Sequence, residues 1–192
     1  YVLAGLFGLA GPTVMVERVY DTLVRLGIVV LIFLLALKLL PMRRWAVVPA
    51  LCSVVLLAAA TFYGYAVFPA LLFSFLSLLL WVHSLGSDDD KRGVRRAWLF
   101  AAGVAVGLCG LFRVDIAVYS SAAIAVGMAL FALWARQDDR SLGQRIADLL
   151  VELIVVAGGA LLVLLPFYGW LAAASGFDVL WDNLITFPAT KF

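Results

Sequence analysis

Apolar residues run along this chain in long stretches, broken at a few places by short polar clusters, and those breaks set its organisation. A helix needs about 20 residues to cross the hydrocarbon core of a bilayer. Residues 1–10 are apolar but short, and Gly11-Pro12 ends them. From Thr13 the pattern is amphipathic, becomes wholly apolar after Leu26, and is closed beyond Leu40 by Pro41-Met42-Arg43-Arg44. The run 45–62 carries Pro49 in its first turn, where a missing N–H does little harm. Phe62-Tyr63-Gly64-Tyr65 predicts a turn, and 67–85 predicts the return. The stretch 86–96, with Asp88-Asp89-Asp90-Lys91-Arg92, reads as the most polar loop. Residues 97–135 are then too long an apolar run for one crossing and are interrupted once, at Arg113-Val114-Asp115. A hairpin of two helices with that triplet at its tip resolves the excess length. The polar segment 136–147 precedes a last apolar run that reaches Ala172 and contains Pro166, a natural kink site.

Beyond that run, Ser175 is placed to cap a short helix with Asp178 at its third position. Phe177, Leu180, Trp181 and Leu184 recur at helical spacing, as in a helix lying in the membrane interface over about 176–186. The expected fold is therefore all-α: one polytopic transmembrane helix bundle over residues 1–192, plus that interfacial helix at the C-terminal end. Its expected full crossings are six, at about 13–40, 45–62, 67–85, 97–112, 115–135 and 147–172.

Composition sharpens the class. Of the 192 residues 66% are apolar and 14% charged, with a mean hydropathy of +1.11, against about 25% charged in an ordinary globular protein. Too few polar side chains exist to coat a water-exposed globule, which excludes a soluble enzyme, and the apolar excess excludes a disordered chain. A net charge of +2 gives no basic face for nucleic acid. Ten of the 14 basic residues fall in alternate polar segments: Lys38, Arg43 and Arg44; Lys91, Arg92, Arg95 and Arg96; Arg136, Arg140 and Arg145. The topology rule for Lys and Arg places these in the cytoplasm, with both ends of the chain outside. Cys52 and Cys109 lie in apolar runs and read as small packing residues. The chain starts at Tyr1 with neither Met nor a basic leader and is apolar at once, so a start further upstream is expected.

The charges that orientation does not require lie on the other side. Arg18, Asp21 and Arg25 are spaced to stack on one helix face beside Glu17, which predicts a stripe of salt bridges above the lipid. Arg113 and Asp115 interrupt a long apolar stretch where Asn, Ser or Gly would turn the chain without charge, so the pair is expected to face a polar cavity. Asp88-Asp89-Asp90 has Asp-x-Asp spacing, but next to Lys91 and Arg92 it reads as a solvated loop. His83 reads as an interfacial side chain, and Glu152 as one that snorkels or pairs across helices. Gly103-x-x-x-Gly107, with Gly110, suits close helix packing. No metal-ligand set, Ser/His/Asp set, P-loop or dinucleotide fingerprint is present in the sequence.

The stretch from Phe100 through Gly103, Gly107 and Gly110 to Leu111-Phe112-Arg113-Val114-Asp115, followed by an apolar helix, resembles a segment of polytopic glycosyltransferases of the GT-C class. Leu6-Phe7-Gly8-Leu9-Ala10-Gly11-Pro12, leading to Glu17-Arg18, is similar to that class's second membrane helix. The resemblance covers residues 1–136, and Asp182 to Pro188 matches a later segment more weakly. It implies a mannosyltransferase- or arabinosyltransferase-like enzyme. Such an enzyme moves a sugar from a polyprenyl-phosphate carrier to a glycan, lipid or protein acceptor on the outer face of a bacterial plasma membrane. In that class a carboxylate of the first external loop acts as base or metal ligand; here that loop would precede Tyr1, so the catalytic acid and any divalent metal belong to the whole enzyme and no cofactor is assigned to this chain. The outer-side cations Arg113, Arg18 and Lys191 are then the expected phosphate-binding groups, with Asp115 orienting Arg113 or binding a sugar hydroxyl. Two rivals stand beside this: a transporter or lipid flippase, which would show paired broken helices that the sequence lacks, and a non-catalytic scaffold in which Arg113 and Asp115 are a helix-end clasp.

Overall fold

A computed structural model describes residues 2–60, 66–86, 92–132, 141–182 and 186, and among them the chain is helical with no strand. Short helix α1 (Val2–Ala10) ends at Gly11, whose φ of +84° suits glycine, and Pro12 cannot continue it. Helix α2 (Val14–Leu39) follows, then a 3₁₀ turn (Arg43–Ala46) leading directly into α3 (Val47–Ala59). Next come α4 (Val67–Leu85), α5 (Arg92–Phe112), α6 (Val114–Leu130), α7 (Leu142–Ser175) and α8 (Phe177–Trp181).

Four of these helices, α2, α4, α5 and α7, are long and apolar enough to cross a membrane, and the protein is an integral membrane protein. The six crossings expected from the apolar runs are thus matched by four helices of full length. At 1.5 Å per residue, α3 with 13 residues spans about 20 Å and α6 with 17 about 26 Å, short of a hydrocarbon core of about 30 Å.

Several boundaries move. Helix α5 begins at Arg92 rather than 97, so the second half of the expected loop 86–96 is helical. Helix α7 begins at Leu142 rather than 147, because Ser141 and Gln144 form a reciprocal capping box. It runs on to Ser175, through Pro166. The expected cap at Ser175 does not form: this residue ends α7 and its hydroxyl donates to the Leu171 carbonyl. Gly176, at φ +90°, makes the break instead. The interfacial helix, expected over 176–186, is described as the five residues of α8, with Phe177, Trp181, Asp178 and Asp182 all exposed. The turn at 62–65, the Asp88–Asp90 run, Leu184 and Lys191 lie outside the described residues.

Helix α5 is the centre. It packs on α4 and α7, and its small-residue face is buried at Ala102, Gly103, Ala105, Val106, Gly107, Cys109 and Gly110. A β-carbon on Gly103 would run into the Val156 carbonyl of α7, and one on Gly159 of α7 into the Phe100 carbonyl of α5. At Gly107 it would lie 2.8 Å from the Ala160 carbonyl oxygen. The backbones of α5 and α7 meet directly, as the glycine spacing predicts; dispersion and close approach replace the hydrophobic drive that is missing in lipid. Cys109 is buried in this seam, whereas Cys52 is exposed on α3 rather than packed. Helix α6 joins α4 through a Ser74–Ser120 hydroxyl contact of 2.7 Å and through Trp81, which lies over Gly127.

Candidate functional site

Cross-helix contacts sort the charges into two ends. Arg95 of α5 meets Glu152 of α7 at 2.8 Å, with the side chains only 12% and 14% exposed. This pairs the N-terminal parts of those helices and fulfils the expected cross-helix role of Glu152. The N-terminal part of α5 also meets the C-terminal end of α4, where His83 sits edge-on to Trp98 with ring centroids 4.5 Å apart. At the other end, Phe73 of α4 stacks on Phe112, and the Tyr168 hydroxyl of α7 donates to the Gly110 carbonyl at 3.0 Å. That carbonyl belongs to the last turn of α5, where a helix leaves such groups without intrahelical partners. Lys38, Arg43, Arg92, Arg95, Arg96 and Arg145 belong to the first end, and Arg18, Arg25 and Arg113 to the second.

A single residue separates α5 from α6. Arg113 is extended (φ −150°, ψ 108°) and caps α6, while its N–H still donates to the Cys109 carbonyl. Asp115 falls in the first turn of α6, where the helix dipole favours a carboxylate. Its two oxygens accept a two-pronged grip from Arg113: Nε to Oδ1 at 2.9 Å and Nη2 to Oδ2 at 2.6 Å. Hydrogen bonds to that carboxylate raise the Arg113 pKa further above its ordinary value and keep the guanidinium charged. The pair is open, at 42% and 48% side-chain exposure. Asp115 uses one edge of the guanidinium fork; Nη1 has no partner among the described residues.

The Arg18, Asp21 and Arg25 stripe resolves into two roles. Arg18 is exposed on α2, and its carbonyl accepts from Thr22. Asp21 and Arg25 are not a bridge standing above lipid: Asp21 is 5% exposed, and its carboxylate lies 2.7 Å from Arg25 Nε. The Arg25 guanidinium donates to the Leu57 carbonyl and, at 2.9 Å, to the Ala60 carbonyl, and it stands 4.2 Å over the Phe68 ring. One cation thus caps the C-terminal end of α3, stacks on α4 and is neutralised from its own helix. The i, i+4 spacing shows the pair, but only the tertiary fold brings the carbonyl ends to it.

Among the described residues, three cavities of several hundred Å³ lie between helices. One of about 600 Å³ is lined by Lys38, Arg43, His83 and Trp98 among leucines of α2 and α4. One of about 430 Å³ lies among α5, α6 and α7, and one of about 580 Å³ between α1 and α2. None of the three takes in Arg113, Asp115 or Arg18. Among the described residues no three His, Cys, Asp or Glu side chains cluster as a metal site would need. No protein-family model, curated protein or solved structure matches the chain.

Proposed function

We propose that this chain is the membrane part of a glycosyltransferase that moves a sugar from a polyprenyl-phosphate carrier to an acceptor on the extracytoplasmic face of a bacterial plasma membrane. Six membrane passes, with the shorter α3 and α6 crossing a locally covered or thinned region, put the basic end in the cytoplasm. The observation that carries the proposal is the state of Arg113. It is charged, oriented on one edge by Asp115, and open on the other at a helix junction. A guanidinium so held is preorganised for the phosphate that gathers negative charge as the glycosidic bond to the carrier breaks. The GT-C resemblance of the α5–α6 junction and of the segment before Arg18 agrees with this use, and Arg18 and Lys191 are the further cations it assigns to the donor.

A second reading rests on the same geometry. The two-pronged pair closes a one-residue junction, so it also serves as a helix-end clasp in a non-catalytic scaffold. Sugar transfer from a synthetic polyprenyl-phosphate sugar by the full-length protein in vesicles separates the two. Transfer that falls in Arg113→Ala while the fold is retained supports the enzyme. A wild-type protein with no transfer activity, or an unaffected variant, supports the clasp.

A further inference from the structure

The cavity of about 600 Å³ at the basic end is unlike the other two in its chemistry. Its walls are Leu34 and Leu37 of α2, Leu79 and Leu80 of α4 and the Trp98 ring of α5, and Lys38, Arg43 and His83 also line it. The other two hold no charged side chain at all. Lys38 and Arg43 have no ion-pair partner among the described residues, whereas the buried cations Arg25 and Arg95 are both paired. Lys38 lies in the last turn of α2 and Arg43 opens the 3₁₀ turn, so both stand where the chain leaves the apolar part of the bundle. Apolar depth with two unneutralised cations alongside is complementary to one kind of bilayer component: an acyl chain joined to an anionic headgroup.

We propose that this cavity is a binding site for an anionic phospholipid of the leaflet at the basic end. The acyl chain lies against the four leucines and the Trp98 face, and the headgroup phosphate sits between Lys38 and Arg43, with His83 beside it. The occupant is a structural lipid that fills a gap between α2, α4 and α5, and the site is independent of any sugar transfer at the opposite end. Its volume falls within the range of about 300–1,000 Å³ usual for ligand clefts.

Native mass spectrometry of the full chain, released from nanodiscs of equal phosphatidylglycerol and phosphatidylcholine, tests it. The wild type should retain one phosphatidylglycerol in preference to phosphatidylcholine by about thirtyfold, from two cations near one anionic headgroup. That preference should weaken in high salt. Lys38→Gln with Arg43→Gln should bring it close to unity. Arg44→Gln, a neighbouring exposed cation outside the cavity lining, should leave it intact. Leu79→Trp, which fills the cavity without touching charge, should lower retention of both lipids. Equal retention of the two lipids by the wild type overturns the proposal. So does a preference that survives the double variant, or one that Arg44→Gln abolishes equally, since that would be a general basic surface. Displacement of the lipid by millimolar inorganic phosphate would make this a free-anion site and would also overturn it.

Discussion

Asp21 and Arg25 sit one turn apart on α2 and bury their charges together, while Arg113 and Asp115, two residues apart, leave theirs open. The difference in surroundings sets what each pair is for. Removing one partner of a buried pair strands the other charge, at a cost of about 3–5 kcal/mol. Asp21→Ala should therefore lower the thermal unfolding temperature in detergent sharply. Arg113→Ala should cost less than about 1 kcal/mol, the ordinary worth of an exposed pair. Equal losses from the two would mean that Arg113 is a structural residue and not an open binding group. Arg25 also shows where the sequence stops informing. Its spacing to Asp21 is plain, but the Leu57 and Ala60 carbonyls lie more than 30 residues away, and nothing local marks them as its partners.

Each helix reads from the sequence to the extent that its ends carry their own signal. Gly11-Pro12 marks the end of α1 in the letters alone, and 67–85 is found with its bounds unchanged. The start of α7 is misplaced by five residues when read from polarity alone: the polar composition of 142–146 reads as loop, and the signal passed over is Ser141-x-x-Gln144, a capping box. Ser141→Ala should destabilise the first turn of α7 by about 1 kcal/mol, seen as faster amide exchange there. Gly143→Ala, with no neighbour in reach of a new β-carbon, should slow that exchange. At the α5–α7 seam, Gly103→Val should separate the helices and abolish folding into membranes. Gly158→Ala, on the open side of α7, should be tolerated. Comparable expression and unfolding temperature for Gly103→Val and Gly158→Ala would contradict the direct backbone contact. The start of α5 was less legible, because Arg92 to Arg96 look like loop until Arg95 is seen to turn inward to Glu152.

For the whole molecule, the apolar runs disclose an all-helical membrane protein, because 66% apolar content leaves no other solvent for it. The number of crossings was harder to read: a run of apolar letters does not distinguish a full span from the shorter α3 and α6. The two ends of the bundle do separate by charge, and sidedness is open to direct measurement. With Cys52 and Cys109 replaced, single cysteines at 96 and 145 should label only from the cytoplasm, and those at 18 and 178 only from outside. Labelling of all four from one side would remove the basis for an outward-facing site. If Arg113, held by Asp115, stabilises the departing lipid phosphate as proposed, turnover of a polyprenyl-phosphate sugar by the full-length protein depends on it. Arg113→Ala should lower kcat/KM by about 2–4 kcal/mol of transition-state stabilisation, with Arg113→Lys recovering only part because the two-edged fork is lost. Wild-type turnover in Arg113→Ala, in protein that folds and inserts normally, would contradict it.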